Sequence, residues 1–314
     1  MNIGFIGNFE APFSTENDRK WSFRMLGHNV VTFQENKTSP QNLMDYVDKL
    51  DLLVYSHTHG WEIPSLEDVF KSFKEKKVPV ISVHLDRWAW LERETDVGKE
   101  ATWKVDHMFM ADASPEAVKL YEKVGVNWTW LKPGVSAKYC YMSAPDPVKY
   151  PHEIIFVGSY NYHKEYPFRP QLIDWLKETY GDRFGHYGGG RGAGGGGGYP
   201  TVRGHDLNTL YATAKIVVGD SCFAGRPYYV SDRYYETRGR GGFLLHPYIP
   251  GIENKGVVNY KVGDFKDLKK KIDHYLKFPK VREKLRKIGF NRVKNNETYT
   301  HRAKEIIDVI NEKV

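Results

Sequence analysis

Short apolar runs rich in β-branched residues alternate with longer amphipathic runs along most of this chain. In the first half the strand-like runs are Ile3–Ile6, Asn29–Phe33, Leu52–Tyr55, Val78–Val83, His107–Met110 and Trp128–Leu131. Helical patterns lie between them at Glu16–Leu26, Leu66–Lys76 and Pro115–Val124. Apolar strands separated by amphipathic helices predict a parallel sheet that is covered on both faces.

The alternation breaks once and then restarts. Ser143–Pro151 contains three prolines in nine residues, which disfavours a helix and favours an extended linker. The later strands are predicted at Glu153–Val157, Phe184–Tyr187, Lys215–Gly219 and Gly242–Leu245, and the later helices at Pro170–Tyr180, Leu207–Thr213, Tyr234–Gly239, Phe265–Leu276, Val281–Asn295 and Tyr299–Asn311. We therefore expect two Rossmann-like lobes, with a ligand bound in a cleft between them.

Composition excludes several classes of protein. Of the 314 residues, 40% are hydrophobic and 14% aromatic, which argues against global disorder. No apolar stretch approaches the roughly 18 residues of a membrane span, and no basic segment precedes the first apolar run. Two cysteines, Cys140 and Cys222, cannot form a disulfide framework. These features predict a cytoplasmic protein.

Positive charge is concentrated in one segment. Lys266–Lys294 holds twelve Lys and Arg residues against three acidic ones, a net charge of +9, whereas the whole chain carries +7. A solvated helical surface is the simpler interpretation. The alternative is a contact surface for nucleic acid or an anionic membrane.

A glycine-rich segment follows the predicted strand Phe184–Tyr187. Gly188–Gly198 contains nine glycines in eleven residues and predicts a mobile loop. A hairpin tip is the simpler interpretation, and a lid or a set of phosphate-facing amides is the alternative.

Most familiar chemical motifs are absent from the sequence. It contains no GxxxxGK[ST], HExxH or GxSxG, no GxGxxG after the first predicted strand, and no Asp-x-Asp pair of the kind that holds a nucleotide diphosphate through a metal. His57 and His59 form a candidate metal pair, but no third ligand lies near them in the sequence. We therefore expect no metal and no bound cofactor.

The segment Val202–Pro247 carries the most informative pattern. It contains Ser231-Asp-Arg-Tyr-Tyr-Glu236, then Gly241-Gly242, then the apolar run Phe243–Leu245. This order resembles the second lobe of group 1 glycosyltransferases of the GT-B fold, closest to their CgeB-like spore-maturation branch. Further similar segments are Asp106–Gly134, Ile155–Ser159 and Tyr299–Arg302.

The resemblance implies a fold and its domains. It implies an α/β protein with two Rossmann-like lobes whose parallel sheets face a central cleft. The acceptor-binding lobe would span residues 1–145, the donor-binding lobe residues 146–295, and a C-terminal helix, residues 296–314, would return to the first lobe.

The resemblance assigns most donor contacts to the second lobe. Glu236 would accept hydrogen bonds from ribose hydroxyls, since a carboxylate can serve two neighbouring O–H groups. Arg233 and Arg169 would neutralise the departing diphosphate without a metal, because a guanidinium fork pairs with phosphate oxygens. The other donor-binding candidates are Gly7, Asn8, Gly158, Ser159, Arg203, Gly241 and Gly242. Solvated charges and plain tight turns are the structural alternatives.

Acceptor chemistry is assigned to the first lobe. His84 ends a predicted strand and matches the position of a reaction-centre histidine, and Asp86 is a candidate base or acceptor contact. A buried structural histidine is an equally weighted alternative for His84. His57, Trp61 and Trp88 are candidate acceptor-binding residues, although core packing is the commoner role of such tryptophans.

One position departs from the family pattern. Many group 1 enzymes carry a second glutamate eight residues before the one matched by Glu236, and Tyr228 stands there instead. The resemblance still predicts transfer of a sugar from a nucleoside-diphosphate sugar, with UDP the expected nucleotide, to a glycan, a small molecule or a hydroxymethylated DNA base. The alternative is a nucleotide- or nucleic-acid-binding protein that has the same scaffold and no turnover.

Overall fold

The computed structural model describes residues 1–161, 163–188 and 198–313, which form two compact units. The first unit comprises Met1–Lys132 and Tyr299–Val314, and the second comprises Pro133–Thr298. The boundary at Lys132 lies before the proline-rich segment, where the sequence placed it at residue 145. Nearly all of the glycine-rich loop predicted at Gly188–Gly198 lies outside the described residues.

The described residues contain eleven strands and ten α-helices. The strands are β1 (Asn2–Gly7), β2 (Asn29–Gln34), β3 (Leu52–Tyr55), β4 (Val80–His84), β5 (His107–Met110), β6 (Trp128–Trp130), β7 (Ile154–Val157), β8 (Phe184–Tyr187), β9 (Ile216–Val218), β10 (Leu244–Pro247) and β11 (Val257–Tyr260). The helices are α1 (Thr15–Met25), α2 (Pro40–Met44), α3 (Leu66–Glu75), α4 (Pro115–Val124), α5 (Phe168–Tyr180), α6 (Gly204–Thr213), α7 (Arg233–Gly239), α8 (Phe265–Lys277), α9 (Pro279–Asn296) and α10 (Tyr299–Lys313).

A six-stranded parallel sheet organises the first unit, in the order β2-β1-β3-β4-β5-β6. On one face, Phe5 packs with Phe23 of α1 and Ile306 of α10. On the other, Leu53 belongs to a core that includes Phe70 of α3. Apolar side chains are buried on both faces, as the continuous hydrophobic runs predict.

Local signals set the helix ends, as α4 illustrates. The side chain of Ser114 accepts a hydrogen bond from the backbone N–H of Ala117, and Pro115 occupies the first turn, where its missing N–H costs nothing. Gly125 ends the helix in the left-handed region, at φ 74°. The same logic starts α1, where Ser14 accepts from Asn17.

A five-stranded parallel sheet organises the second unit, in the order β11-β10-β9-β7-β8. The predicted α/β fold with two Rossmann-like sheets is confirmed. Strand β11 and helix α2 are missing from the sequence prediction. In each sheet all strands are parallel, but the order in which the chain adds them changes direction once. This reversal in strand order lies between β1 and β3 in the first sheet and between β7 and β9 in the second. Open α/β sheets bind ligands at the carboxyl ends of the strands at this reversal, so each unit has one preferred place for a ligand.

Two further expectations can be compared with the structure. No helix in the described part of the chain is long and apolar enough to cross a membrane. Cys140 and Cys222 are buried and are not joined in a disulfide.

Candidate functional site

In the second unit, Arg233 lies against the backbone of Gly158, the residue that follows β7. Gly158 has φ 140°, a conformation that L side chains rarely adopt, and a Cβ there would lie 3.3 Å from Arg233 Cζ. Glycine therefore allows the guanidinium to approach the end of the strand. Arg233 Nε is buried and has no hydrogen-bond partner among the described residues.

A second guanidinium lies at the neighbouring strand end. Asp220 follows β9 and is buried, and it accepts hydrogen bonds from Arg169 Nε at 3.2 Å and from the Tyr166 hydroxyl at 2.9 Å. Burial raises the pKa of Asp220, while the charges of Arg169 and Arg233 act in the opposite direction. Arg169 Nη1 is buried and unpartnered in the part of the chain that the structure describes. Each arginine thus keeps one buried N–H that a bound anion could satisfy.

Buried polar groups hold the turn before α7. The His246 ring faces the carbonyl of Pro247 with Nδ1 at 2.9 Å and the Ser221 hydroxyl with Nε2 at 2.9 Å. Ser221 Oγ in turn accepts the backbone N–H of Ser231 at 3.0 Å. Burial lowers the pKa of His246 to about 3, so the ring is neutral at pH 7. This network fixes the backbone from which Arg233 projects.

Glu236 is held through one of its two oxygens. Arg240 Nη2 donates a hydrogen bond to Glu236 Oε1 at 3.2 Å. Arg240 Nη1 donates to Gly204 O at 2.9 Å and to Asn208 Oδ1 at 2.7 Å. The Glu236 side chain is 20% exposed, so its carboxylate is oriented yet reachable. Arg203 directly precedes Gly204 and is exposed. The structure therefore brings two sequence-predicted donor residues, Glu236 and Arg203, to one neighbourhood.

Packing accounts for the glycine pair. A Cβ at Gly241 would lie 2.9 Å from Met142 Cγ, and one at Gly242 would lie 2.8 Å from Thr237 Cγ2. The predicted diphosphate contact of Gly241 and Gly242 stays a prediction, because glycine is already required here by neighbouring protein atoms. Ser159, the residue after Gly158, is partly exposed.

In the first unit, the loop after β1 is filled by protein side chains. A Cβ at Gly7 would lie 2.7 Å from Glu16 Cγ, and the Glu16 carboxylate accepts a hydrogen bond from Ser56 at 2.8 Å. Asn8 Oδ1 accepts the backbone N–H of Ala11 at 3.4 Å. A carboxylate beside Gly7 is unfavourable for a diphosphate, so the predicted donor role of Gly7 and Asn8 gains no support here.

The loop after β3 carries a histidine oriented by a buried carboxylate. Glu35, which follows β2, is fully buried and lies 2.7 Å from His57 Nδ1. Its carboxylate also accepts from the Tyr55 hydroxyl at 2.7 Å and from the backbone N–H of Thr58 at 2.9 Å. Sequence reasoning missed Glu35, although it stands directly after a predicted strand of the same sheet.

His57 also approaches a second carboxylate. Its Nε2 lies 3.4 Å from Glu100 Oε2. His57, His59 and Glu100 each offer one ligand atom, and these atoms lie within 4.8 Å of one another. The third ligand that the sequence lacked near His57 and His59 is therefore supplied from 41 residues further along the chain.

Two predicted acceptor residues are buried beside this cluster. The His84 ring lies 5.4 Å from that of His59 and 5.0 Å from that of Trp88, measured between centroids. Burial lowers the pKa of His84 well below its usual value, so the ring is uncharged at neutral pH. Trp88 is completely buried and packs on Trp103. The predicted stacking of Trp88 on an acceptor is therefore wrong, and the burial of His84 favours its structural alternative.

Asp86 and Trp61 remain accessible. The Asp86 side chain is 32% exposed and lies 3.5 Å from Arg93 Nη1. Trp61 is partly exposed, and its backbone N–H bonds Thr58 O at 3.0 Å in the loop that carries His57. Of the acceptor-binding candidates, these two have surface that a ligand can reach in this structure.

Tyr228, at the position of the missing glutamate, has an unusual backbone. Its φ is 59°, which is rare for an aromatic residue, and its side chain lies on the surface. A Cβ at Gly251 would lie 2.2 Å from the Tyr228 ring, so glycine makes room for this tyrosine.

Comparisons with known proteins place this geometry in context. A family model described as glycosyl transferase-like matches residues 169–308, the segment that contains Arg169, Arg233 and Glu236. A search of curated proteins found no match. The chain is similar in structure to sucrose-phosphate synthase from Thermosynechococcus elongatus, with 12% identity, a TM-score of 0.62, and coverage of 99% of this chain and 98% of that one.

Two further solved structures each cover 99% of this chain. The Anabaena protein HepE, in complex with UDP and glucose, has 11% identity, a TM-score of 0.65, and coverage of 99% and 100%. The T4 phage BGT, in complex with its UDP-glucose substrate, has 13% identity, a TM-score of 0.64, and coverage of 99% and 99%. These similarities establish the GT-B fold predicted from the sequence; the CgeB-like branch stays a prediction.

Proposed function

We propose that this protein is a glycosyltransferase that transfers a sugar from a nucleoside-diphosphate sugar to an acceptor hydroxyl. One observation carries the donor half of this proposal. At the reversal between β7 and β9, Arg169 and Arg233 each keep a buried N–H without a partner. Unsatisfied buried donors are costly, and a diphosphate supplies acceptors and negative charge together.

The arrangement suits a leaving diphosphate. Arg169 and Arg233 both lie near the buried carboxylate of Asp220, and Asp232 also lies near Arg233. Preoriented cations of this kind stabilise the charge that develops as the sugar–phosphate bond breaks. Arg233 and Arg169 are therefore proposed to do the work that a metal does in other transferases. Gly158 and Ser159 contribute the adjoining strand end.

Glu236 is proposed to bind the ribose. Its Oε1 is occupied by Arg240, while its side chain is partly exposed. The carboxylate is thus held in one orientation and can accept from the vicinal hydroxyls. The UDP and UDP-glucose bound to HepE and to the T4 phage BGT support a uridine nucleotide for this chain. The glycosyl transferase-like family model, which spans the same residues, supports the activity.

Acceptor binding is proposed for the first unit, with Asp86 as the carboxylate that contacts the acceptor hydroxyl. The Asp86 side chain is 32% exposed, and Arg93 Nη1 lies 3.5 Å from it. His84 is neutral and buried, and in this proposal it positions the loop rather than takes the proton.

Two acceptor classes follow from the surface of the second unit. Helices α8 and α9 expose a row of lysines, including Lys270, Lys277, Lys280 and Lys284. Part of the positive charge is neutralised by ion pairs within the helices, as between Lys269 and Asp273 and between Lys271 and Asp267. The rest supports a polyanionic acceptor such as a hydroxymethylated DNA duplex, in line with the DNA-modifying glucosyltransferase among the similar structures. If the exposed lysines of α8 and α9 contact only solvent, a glycan is the proposed acceptor.

The experiment is donor hydrolysis followed by acceptor transfer. Purified protein is incubated with a panel of nucleoside-diphosphate sugars without acceptor, and the released nucleoside diphosphate is measured. We expect release from a UDP-sugar, and its loss in Glu236→Gln but not in the control Glu178→Gln, an exposed residue of α5. The activity is then measured with hydroxymethylated duplex DNA, unmodified duplex and oligosaccharides at several salt concentrations.

The outcomes separate the two function classes. Turnover that depends on Glu236 supports the transferase. Tight binding of UDP without turnover for any donor and acceptor contradicts it and supports the non-catalytic binder. If no nucleotide binds, the transferase and the nucleotide-binding alternative are both wrong, because both place a diphosphate between Arg169 and Arg233.

A further inference from the structure

The first unit contains a compact group of potential metal ligands that the proposed sugar transfer does not use. His57 and His59 lie in the loop after β3, and Glu100 precedes the short helical turn Ala101–Trp103. One ligand atom from each lies within 4.8 Å of the other two. The group sits at the carboxyl end of β3, beside the reversal in strand order, where ligands bind in sheets of this kind.

The buried carboxylate of Glu35 sets the orientation of the His57 ring. Nδ1 lies 2.7 Å from Glu35 Oε1, and Glu35 is fully buried and held by two further hydrogen bonds, from Tyr55 and Thr58. A ring that donates through Nδ1 to a carboxylate presents the lone pair of Nε2 on its other side. A carboxylate behind a histidine is the usual arrangement around metal-bound imidazoles, where it fixes the tautomer and raises the basicity of the ligand.

Two polar atoms in this group lack a hydrogen-bond partner among the described residues. His59 Nε2 and Glu100 Oε2 are both buried, and neither makes a hydrogen bond to any described residue. Glu100 Oε2 lies 3.4 Å from His57 Nε2, but the contact does not qualify as a hydrogen bond. Buried polar atoms are nearly always satisfied, so two unpaired polar atoms in one cluster of potential ligands are explained by a bound ion that supplies the missing contact.

The spacing fits a tetrahedral metal ion. Two nitrogen or oxygen ligands at about 2.1 Å from zinc, with a tetrahedral angle between them, are separated by about 3.4 Å. His57 Nε2 and Glu100 Oε2 are 3.4 Å apart. The other separations within the group are at most 4.8 Å, so ligation requires the side chains of His59 and Glu100 to move closer together.

The surrounding charge also favours a cation. The groups that interact electrostatically with His59 and Glu100 include the carboxylates of Glu35, Asp86 and Asp96, against one guanidinium, Arg93. With Glu100 itself, four carboxylates face one positive group. A divalent ion therefore enters a negative environment, and Arg93 is partly compensated by Asp86.

From these observations we infer that His57, His59 and Glu100 bind one divalent cation of the zinc class, with Glu35 as the residue that orients His57. Two histidines and one glutamate are a ligand set that zinc uses with an open fourth position for water or a substrate oxygen. The three ligands belong to the first unit, and the arginine pair belongs to the second. It stands whether or not the protein transfers a sugar.

The test is a metal titration of the full-length protein. Tag-free protein is stripped with EDTA, dialysed, and titrated with Zn²⁺ in competition with a chromophoric chelator, while Co²⁺ is used to record the visible absorption of a tetrahedral site. We expect one ion per chain and a higher Tm with Zn²⁺ than after stripping. His59→Ala and Glu100→Gln should weaken binding by more than about 100-fold, and Glu35→Gln by about 10- to 100-fold.

Two controls keep the result interpretable. His274→Ala removes an exposed histidine of α8 and should bind zinc as the wild type does. Glu100→Gln preserves the shape of a partly exposed side chain, so circular dichroism should report an intact fold. The inference is overturned if the wild type binds no zinc stoichiometrically, or if Glu100→Gln and His59→Ala bind it as tightly as His274→Ala.

Discussion

Replacing Arg233 with methionine separates ligand binding from folding more cleanly than any other change at the arginine pair. Arg233 makes no side-chain hydrogen bond with the described residues, and its Nε is buried without a partner. Arg169, in contrast, is bonded to the buried Asp220. Removal of Arg169 would leave that carboxylate without its bonded cation, at a cost of about 3–5 kcal/mol of folding stability.

The magnitude follows from the hydrogen bonds that a diphosphate would make. A hydrogen bond to a charged group contributes about 1.5–3 kcal/mol. We therefore expect Arg233→Met to weaken UDP binding by about 10- to 150-fold, since each 1.4 kcal/mol is about a factor of ten. Because Arg233 also interacts with the charges of Asp232 and Asp220, the free energy of unfolding of the ligand-free protein should fall, by about 0.5–3 kcal/mol.

The assay is isothermal titration calorimetry with UDP, together with urea unfolding of each variant. Arg183→Met is the matched control, because Arg183 precedes β8, at the amino end of that strand, and forms a surface pair with Glu153, whereas Gly158 and Asp220 beside the arginine pair follow the carboxyl ends of β7 and β9. Its affinity for UDP should equal that of the wild type. The reasoning is refuted if Arg233→Met binds UDP normally, or if it loses more than about 3 kcal/mol of stability, since Arg233 would then be a structural residue.

Three further predictions concern stability. His246 is held neutral, with its pKa lowered to about 3, so only the unfolded chain takes up a proton as the pH falls below about 6.5. The contribution of His246 to the free energy of unfolding is complete above that pH and is lost as the pH falls toward 3. The loss between pH 7 and pH 5 is about 2 kcal/mol. Urea unfolding of His246→Gln should show a pH dependence that is smaller by this amount. Gly242→Ala should cost about 1–3 kcal/mol, because its Cβ would lie 2.8 Å from Thr237 Cγ2 and 2.9 Å from Thr237 O; unchanged thermal unfolding with weaker UDP binding would instead indicate that the glycine serves the ligand. Trp88→Ala should cost about 3–5 kcal/mol because the ring is completely buried, and a wild-type Tm would show that the core assignment is wrong.

The order of strands and helices was predictable from the sequence, because hydrophobic periodicity is a local property. The run Leu52–Tyr55 has no charged side chain on either face, and that composition favours a strand buried on both sides of a sheet. Helix ends such as Ser114-Pro115 are equally local. The short strand β11 escaped prediction because its burial alternates along Val257–Tyr260, which gives a weak signal over four residues.

The candidate sites were only half predictable. Arg169, Arg233, Glu236 and His57 could be selected in the sequence because they stand in or beside recognisable motifs. Their partners could not, since Asp220, Arg240, Glu35 and Glu100 belong to no motif and were identified by contact alone. Trp88 was selected from the sequence as an acceptor contact but is completely buried. An aromatic residue after a strand looks the same in sequence whether it faces a ligand or the core.

The sequence by itself determined two α/β units, the arginines and glutamate of the donor candidate, and the histidine pair. Only the tertiary structure decided that Asp220 orients Arg169 across 51 residues and that Glu100 joins His57 and His59. The physical reason is that local pattern specifies each strand, whereas the order of strands in a sheet specifies which strand ends become neighbours. The chemistry at a strand end depends on these neighbouring strand ends. Their residues are far apart in the sequence and come together only in the folded sheet.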